Sequence, residues 1–374
     1  MLTVAAAVRA PVRAMDIPAA FYIPGTLLKS ERLPAGHIHD TYVSEWQAGG
    51  ARRRYVHQRI NEAVFSDVAG LMRNITLVTA HLRCAIAEEH SAEQALETVP
   101  AKTGAAWTRD CAGRAWRTYR FIEGAVSYDI CPDPERALLT GESFGRFIRR
   151  MAAFDAARLS EPIPGFQDIP RRLVQLESAI EADRAKRRRS ASAEIGETLK
   201  RAPLAGLFAG GLAAGRLPLR VTHADPKINN LLFSKETLRP LCIVDLDTCM
   251  QGTALYDFGD MVRTGAAAAA EDEPDAAKMK IDLGLFAALA RGFMSGLGST
   301  LTEEERGLLH LAPQVLAWCQ AARFLADYLN GDVYYRIRHE EHNLQRTRAQ
   351  LALLKSMEDD AEAMEQAVRG GACL

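Results

Sequence analysis

Apolar residues change their spacing along this chain, and the changes mark where strands give way to helices. Over residues 55–61 they alternate, as in a strand with one buried face. Residues 33–43 read as a strand, a small turn at Gly36 and a second strand. Val68, Leu71, Met72, Ile75, Val78 and Leu82 recur at helical spacing, which predicts a helix over 66–90. Strands near 96–99 and 115–122 would complete a small antiparallel sheet, followed by a chain reversal at Gly124. Beyond it the pattern turns helical. The segment 138–157 aligns Phe144, Phe147, Met151 and Phe154 on one core-facing stripe. Residues 302–330 are strongly helical and stop at Gly331, and a last helix begins near 342. Between these helices, short apolar runs at 221–222, 231–233 and 242–244 flank a polar loop. The expectation is an α+β chain.

A length of 374 residues points to two lobes, and 48% hydrophobic with 25% charged residues is an ordinary globular balance. The net charge of −1 gives no global field to attract nucleic acid or an anionic membrane. The seven cysteines are scattered and odd in number, which suits reduced cytoplasmic thiols better than a disulfide frame or a zinc site. His339 and His342 lack the spacing of a zinc hydrolase. The basic run Lys186-Arg187-Arg188-Arg189 sits among acids and reads as a solvated helix face. Residues 1–20 read as a loose leader without a signal-peptide core, and no apolar run reaches the roughly 20 residues of a membrane span.

The polar loop carries the chemistry. His223, Asp225, Lys227 and Asn230 follow one strand, and Asp245 and Asp247 close the next. Asp-x-x-x-x-Asn followed by Asp at a strand end is the set that phosphoryl transfer of the protein-kinase type requires. One carboxylate accepts the proton of the attacking hydroxyl. An amide oxygen and a second carboxylate hold magnesium against the phosphates of ATP. Asp225 would be the base, with Lys227 and His223 beside it, and Asn230, Asp245 and Asp247 would take the metal.

His223-Ala224-Asp225-Pro226-Lys227-Ile228-Asn229-Asn230 resembles the catalytic motif of the aminoglycoside phosphotransferase and choline kinase superfamily. More narrowly, the chain resembles the N-acetylhexosamine 1-kinases over most of residues 25–355. The likeness runs through Gly36-His37-Ile38-His39-Asp40-Thr41-Tyr42, where His39 replaces an Asn, and through Gln58-Arg59-Ile60-Asn61. It continues at Phe166-Gln167-Asp168, where Gln167 replaces a His, and at Tyr256-Asp257-Phe258-Gly259-Asp260 and Arg323-Phe324-Leu325-Ala326-Asp327-Tyr328.

The resemblance implies a bilobal protein-kinase-like fold: a small antiparallel β-sheet lobe over 21–122 for the nucleotide, and a larger, mainly helical lobe over 123–374 for the catalytic loop and acceptor. It implies ATP and magnesium. Gly36 would approach the triphosphate, Arg59 would replace the usual phosphate-pairing lysine, and Phe121, Ile122 and Glu123 would offer backbone groups to adenine. His37, Asp225, Arg323 and Tyr334 would meet a small-molecule sugar acceptor, whose anomeric hydroxyl becomes the 1-phosphate. No nucleic acid or membrane partner is expected, and the chain would be a monomer or dimer. Two other readings stay open: a kinase of an aminoglycoside, choline, homoserine or another sugar, and a non-catalytic nucleotide-binding scaffold. A pocket for cationic amines should be rich in acids.

Overall fold

The computed structural model of the chain describes residues 17–33 and 38–370. They fall into two compact units, the first running to Thr79 and resuming over Leu96–Glu123, the second made of Ala80–Ala95 and the chain from Gly124 onward. Among the described residues no helix is long and apolar enough to cross a membrane.

The first unit is built on a five-stranded antiparallel sheet in the order β1-β2-β3-β5-β4. Its strands are β1 (Thr26–Arg32), β2 (Asp40–Ala48), β3 (Ala51–Arg59), β4 (Thr108–Arg109) and β5 (Ala115–Arg120), and helix α1 (Val68–Glu88) follows β3. Gly49 and Gly50 form the two-residue β2–β3 turn with φ of +55° and +83°, a left-handed pair that glycine adopts without a Cβ clash. Trp46, Tyr55 and Trp116 pack with Phe21 and Val99 as the core on one face. His57 is buried between its neighbours, its ring nitrogens 2.6 Å from Ser44 Oγ and 2.8 Å from Thr118 Oγ1. Burial pushes its imidazole down to about 4, so it is neutral. The strand expected at 96–99 is an isolated bridge from Thr98 to Tyr119, where the Val99 amide donates to the Thr118 carbonyl at 2.8 Å and the Arg120 amide to the Glu97 carbonyl at 2.9 Å, and two-residue β4 pairs with the other end of β5.

The second unit is mainly helical. It begins with β6 (Ala125–Val126) and the helices α2 (Pro134–Arg150), α3 (Ile169–Ala182), α4 (Ser192–Lys200) and α5 (Ala209–Ala213). The polar-loop region follows as β7 (Arg220–Thr222), β8 (Leu231–Ser234), β9 (Pro240–Ile243) and β10 (Met250–Gly252). The remainder is α6 (Ala254–Gly265), α7 (Leu283–Leu297), α8 (Glu303–Leu308), α9 (Ala312–Asn330), α10 (His342–Asp359) and α11 (Ala361–Gly370). The basic run expected on a helix face lies instead in the turn between α3 and α4. Lys186 is left-handed there at φ +58°, and Arg187 pairs with Asp332. The helical stretch 302–330 is two helices: Thr302 and Glu305 form a capping box for α8, and Pro313 restarts the chain as α9. Gly331 at φ +92° ends α9 as expected.

Helices α2 and α7 touch backbone to backbone through Gly141 and Gly145 on one and Gly292 and Gly296 on the other. A Cβ at any of these four would run into a carbonyl of the opposite helix. This close approach seats α2, whose Phe144 and Phe147 face the polar loop. Gly292→Ala is therefore expected to lower the urea-unfolding midpoint. An overpacking cost of about 1–3 kcal/mol outweighs the roughly 1 kcal/mol by which alanine favours a helix. Gly196→Ala on α4, where the added methyl meets nothing within 4 Å, should raise it instead.

Candidate active site

Two short antiparallel pairs present the polar loop. Strand β7 pairs with β10, β8 pairs with β9, and the Val244 amide extends the second pair by donating to the Asn230 carbonyl at 2.9 Å. The loops after β7 and after β9 therefore leave the strands side by side.

His223 ties them together. Its ring is fully buried, edge-on to Phe144 and Phe147 at 5.3 and 5.9 Å between centroids. Nε2 donates to the Val244 carbonyl at 3.0 Å, and Nδ1 accepts from the Asp225 amide at 3.3 Å. Burial lowers its pKa, so the ring is the neutral Nε2–H tautomer. Thr248 Oγ1 donates to the His223 carbonyl at 2.8 Å and closes the arrangement from the second loop. His223 was expected among the catalytic groups. With both nitrogens spent inside the protein it is instead a positioning residue.

Asp257, near the start of α6, sets the direction of the loop. Its two oxygens accept the amides of His223 at 2.7 Å and Ala224 at 2.8 Å. Ala224 has φ +63°, which for a residue with a Cβ costs about 1–2 kcal/mol. The bidentate carboxylate offsets that strain, and the next side chain, Asp225, turns out of the core.

Asp225 is half-buried. Its Oδ1 lies 2.8 Å from Lys227 Nζ. Asn230 Nδ2 donates to the Asp225 carbonyl at 2.9 Å and approaches Oδ2 at 3.4 Å. Burial alone would push this carboxyl up, but the Lys227 ammonium, with Arg263 behind it, holds it below the usual range. It is an ionised acceptor. Asp225 in turn raises the Lys227 pKa, with Asp260 and Glu271 adding to the effect.

With its nitrogen given to Asp225, Asn230 keeps one polar side-chain atom, the amide oxygen. Asp245 is exposed and left-handed at φ +59°, and Asp247 sits buried in the 3-10 turn that follows. Amide and carboxylate oxygens are the donors that a hard cation such as magnesium takes, usually with waters and substrate phosphates completing the shell. Among the described residues no group of three or more His, Cys, Asp or Glu side chains is arranged to hold a metal. The fit therefore depends on the amide oxygen and on oxygens that a nucleotide would bring.

Gly36 and His37 lie outside the described residues. The Arg59 guanidinium is engaged by Asp40. Gln58 Oε1 accepts from the buried Arg117 at 2.9 and 2.8 Å. The Phe121 amide donates to the Arg54 carbonyl at 3.1 Å, the Arg54 guanidinium lies 3.9 Å over the Phe121 ring, and Glu123 pairs with Arg54. Ile122 is half-buried.

Arg323 makes no ion pair with Asp327 one helical turn on. Asp327 instead accepts the amides of Val333, Tyr334 and Tyr335 at 2.9–3.0 Å. Arg323 bonds Gln320 Oε1 at 3.1 Å and lies 5.4–5.9 Å from the ring centroids of Phe166, Tyr334 and Tyr335. The loop after α6 supplies Glu271 to the buried Arg263, which Asp260 also holds at 2.7 Å.

Residues 29–291 match the model of the phosphotransferase enzyme family. Solved structures repeat the whole architecture at low identity. An aminoglycoside phosphotransferase from Alicyclobacillus acidocaldarius superposes with a TM-score of 0.65 at 13% identity, covering 98% of this chain and 100% of that one. A choline/ethanolamine kinase family protein from Mesorhizobium loti gives 0.51 at 17%, with 92% and 93% covered. A spectinomycin phosphotransferase, solved with ADP and spectinomycin, gives 0.52 at 11%, with 95% and 100% covered. These likenesses establish the protein-kinase-like α+β fold that the motifs implied. The chain belongs to the phosphotransferase enzyme family and is a phosphotransferase with an alcohol group as acceptor.

Asp257→Ala leaves two buried amides unpaired and should cost about 1–3 kcal/mol for each in urea unfolding. The pH dependence has a definite sign. Burial pushes the Asp257 carboxyl up to about 7, against about 3.9 for an unfolded chain. The proton therefore stabilises the fold fully below about pH 4, and that contribution is lost as pH rises through 7. Unfolding midpoints measured over this window should fall with rising pH more steeply in the native chain than in Asp257→Asn.

Proposed function

We propose that this phosphotransferase moves the γ-phosphoryl group of ATP, bound with magnesium, onto the anomeric hydroxyl of an N-acetylhexosamine, giving the sugar 1-phosphate and ADP. The observation that carries the transfer reading is the Asp225 carboxylate, kept ionised by Lys227 and fixed by Asn230 and the His223–Asp257 scaffold. The acceptor reading is supported by the chain's likeness to N-acetylhexosamine 1-kinases at residues 36–42, 166–168, 256–260 and 323–328.

Asp225 accepts a hydrogen bond from the attacking hydroxyl, aligns it, and takes its proton as the new O–P bond forms and the bond to the ADP oxygen breaks. A carboxylate held below its usual range is a weak base. It suffices because an anomeric hydroxyl is more acidic than an ordinary alcohol and the transition state for phosphoryl transfer is loose. Lys227 lies within reach of the same carboxylate and balances charge gathering on the transferring group. Asn230 and Asp245 would hold the magnesium, with Asp247 as a candidate second contact. The metal neutralises the phosphate oxygens when bound.

Residues 21–122 serve as the nucleotide lobe and residues 123–374 as the catalytic and acceptor lobe. Gly36 and the backbone of Phe121, Ile122 and Glu123 receive the nucleotide. A contact from Arg59 to phosphate would require it to leave Asp40, so we assign it a lesser part. Arg323 and Tyr334 line the acceptor side, with His37 at the sugar.

Asp225→Asn should lower kcat for ADP release by about 10²–10⁴-fold while the KM for ATP changes little. Unchanged turnover would remove Asp225 from the catalytic role, and ATP binding without ADP release in the unsubstituted chain would leave only a nucleotide-binding scaffold. Incubation with N-acetylglucosamine or N-acetylgalactosamine, ATP and magnesium should give a product whose phosphorus resonance couples to the anomeric proton. Phosphate at another position would replace the sugar 1-kinase reading. Chelating the metal should abolish ADP release, and added magnesium should restore it.

A further inference from the structure

Several buried or partly buried arginines of the second unit are answered by acids: Arg150 by Glu89 and Glu93, Arg220 by Glu305, and Arg263 by Asp260 and Glu271. Arg172 and Arg323 are not. Among the described residues neither has a carboxylate partner. Arg172 donates from Nη2 to the carbonyls of Gly165 at 2.7 Å and Phe166 at 3.0 Å and from Nη1 to Gln175, while its buried Nε has no partner. Arg323 has a single amide bond and three aromatic rings about it. The two cations are close enough that Arg323, after burial, is the main influence lowering the Arg172 pKa.

The acid one helical turn from Arg323 is committed elsewhere: Asp327 caps the loop at 333–335. Partly buried cations without a counter-ion are costly unless something binds to them. Their place is also defined. Phe166 lies against Arg323, and the neighbouring Gln167 side chain reaches Thr222, the residue before His223, at 3.5 Å.

We propose that the acceptor is an anion: a hydroxylated ring compound carrying a carboxylate or phosphate group, held by the Arg172 and Arg323 guanidinium groups. Planar guanidinium forks match both oxyanions, and Phe166, Tyr334 and Tyr335 supply faces for the ring. The inference rests on the sugar-kinase reading and narrows it, because the same pocket disfavours the cationic amines of an aminoglycoside or choline. It also adds Arg172 to the specificity-determining residues.

The test is calorimetric titration of the full chain with matched pairs: N-acetylglucosamine against its 6-phosphate, glucose against glucuronate, and glucosamine as the cation. The anionic member of at least one pair should bind ten-fold or more tightly than its neutral twin. The arm that shows it, phosphate or carboxylate, identifies the group. Arg172→Gln and Arg323→Gln, with native circular dichroism and melting, should each erase that preference while binding of a non-hydrolysable ATP analogue is retained. Neutral or cationic probes binding as tightly, no anionic probe binding, or variants that weaken the ATP analogue and leave the acceptor preference intact would each overturn the proposal. ADP release is scored separately. Equal turnover of neutral and anionic twins keeps the sugar-kinase reading and removes this one. An anion preference without turnover of any acceptor removes the sugar-kinase reading instead.

Discussion

The bidentate bond from the Asp257 carboxylate to the amides of His223 and Ala224 is the contact on which the polar loop depends. It pairs the two amides that flank the turn into the left-handed residue at 224, and the bonds from Thr248 to the His223 carbonyl and from Asn230 to the Asp225 carbonyl hold the same loop. With it, Asp225 turns outward while His223 turns inward and binds the Val244 carbonyl, fixing the distance to the loop that bears Asp245. One acid, remote from the proposed reacting atoms, thus orders both loops. A second left-handed residue, Asp245 itself, shows that the other loop is equally constrained. Strain of this kind persists only where surrounding bonds over-determine it, and here they do.

Charge is arranged around that scaffold in pairs. Lys227 answers Asp225 and keeps it ionised; Asp260 and Glu271 answer Arg263 behind it. The outcome is a half-buried carboxylate that its own burial does not protonate. Further along, Arg172 and Arg323 break the pairing rule, and the acceptor's own charge is the proposed remedy. The packing beneath is equally specific. Four glycines let α2 and α7 meet at backbone distance, and α2 brings the two phenylalanines that shut water away from His223.

Much of this was legible in the sequence where the relevant contacts are local. Alternation in β3 and helical spacing in α1 and at Phe144 and Phe147 of α2 showed which faces are buried, although α2 stops at Arg150 and leaves Phe154 half-buried in the turn beyond it, and Asp225 and Asn230, five residues apart, meet within one loop. Contacts made across the fold left no such trace. The purpose of His223 depends on Phe144, Val244 and Asp257, none of them near it in the chain, so it read as a catalytic group. Arg323 and Asp327 have the spacing of a helix ion pair, yet Asp327 is drawn off by the amides of the turn after α9. Glu271 is committed to Arg263, buried one element earlier, a contact that spacing along the chain does not mark. Arg172 carried no signal, since an arginine on α3 looks alike whether or not an acid stands opposite. The 96–99 segment has strand-like composition but only one bridge, a matter of pairing that composition does not encode.

The central claim is that Asp225 meets the acceptor hydroxyl while Asn230 and Asp245 hold the metal. A crystal structure with a non-hydrolysable ATP analogue, magnesium and N-acetylglucosamine or an anionic derivative tests it most directly. The account predicts magnesium about 2.0–2.1 Å from Asn230 Oδ1 and an Asp245 oxygen, with Asp225 about 2.6–3.2 Å from the acceptor hydroxyl. Magnesium held by other side chains, or an acceptor hydroxyl beyond the reach of Asp225, would contradict it.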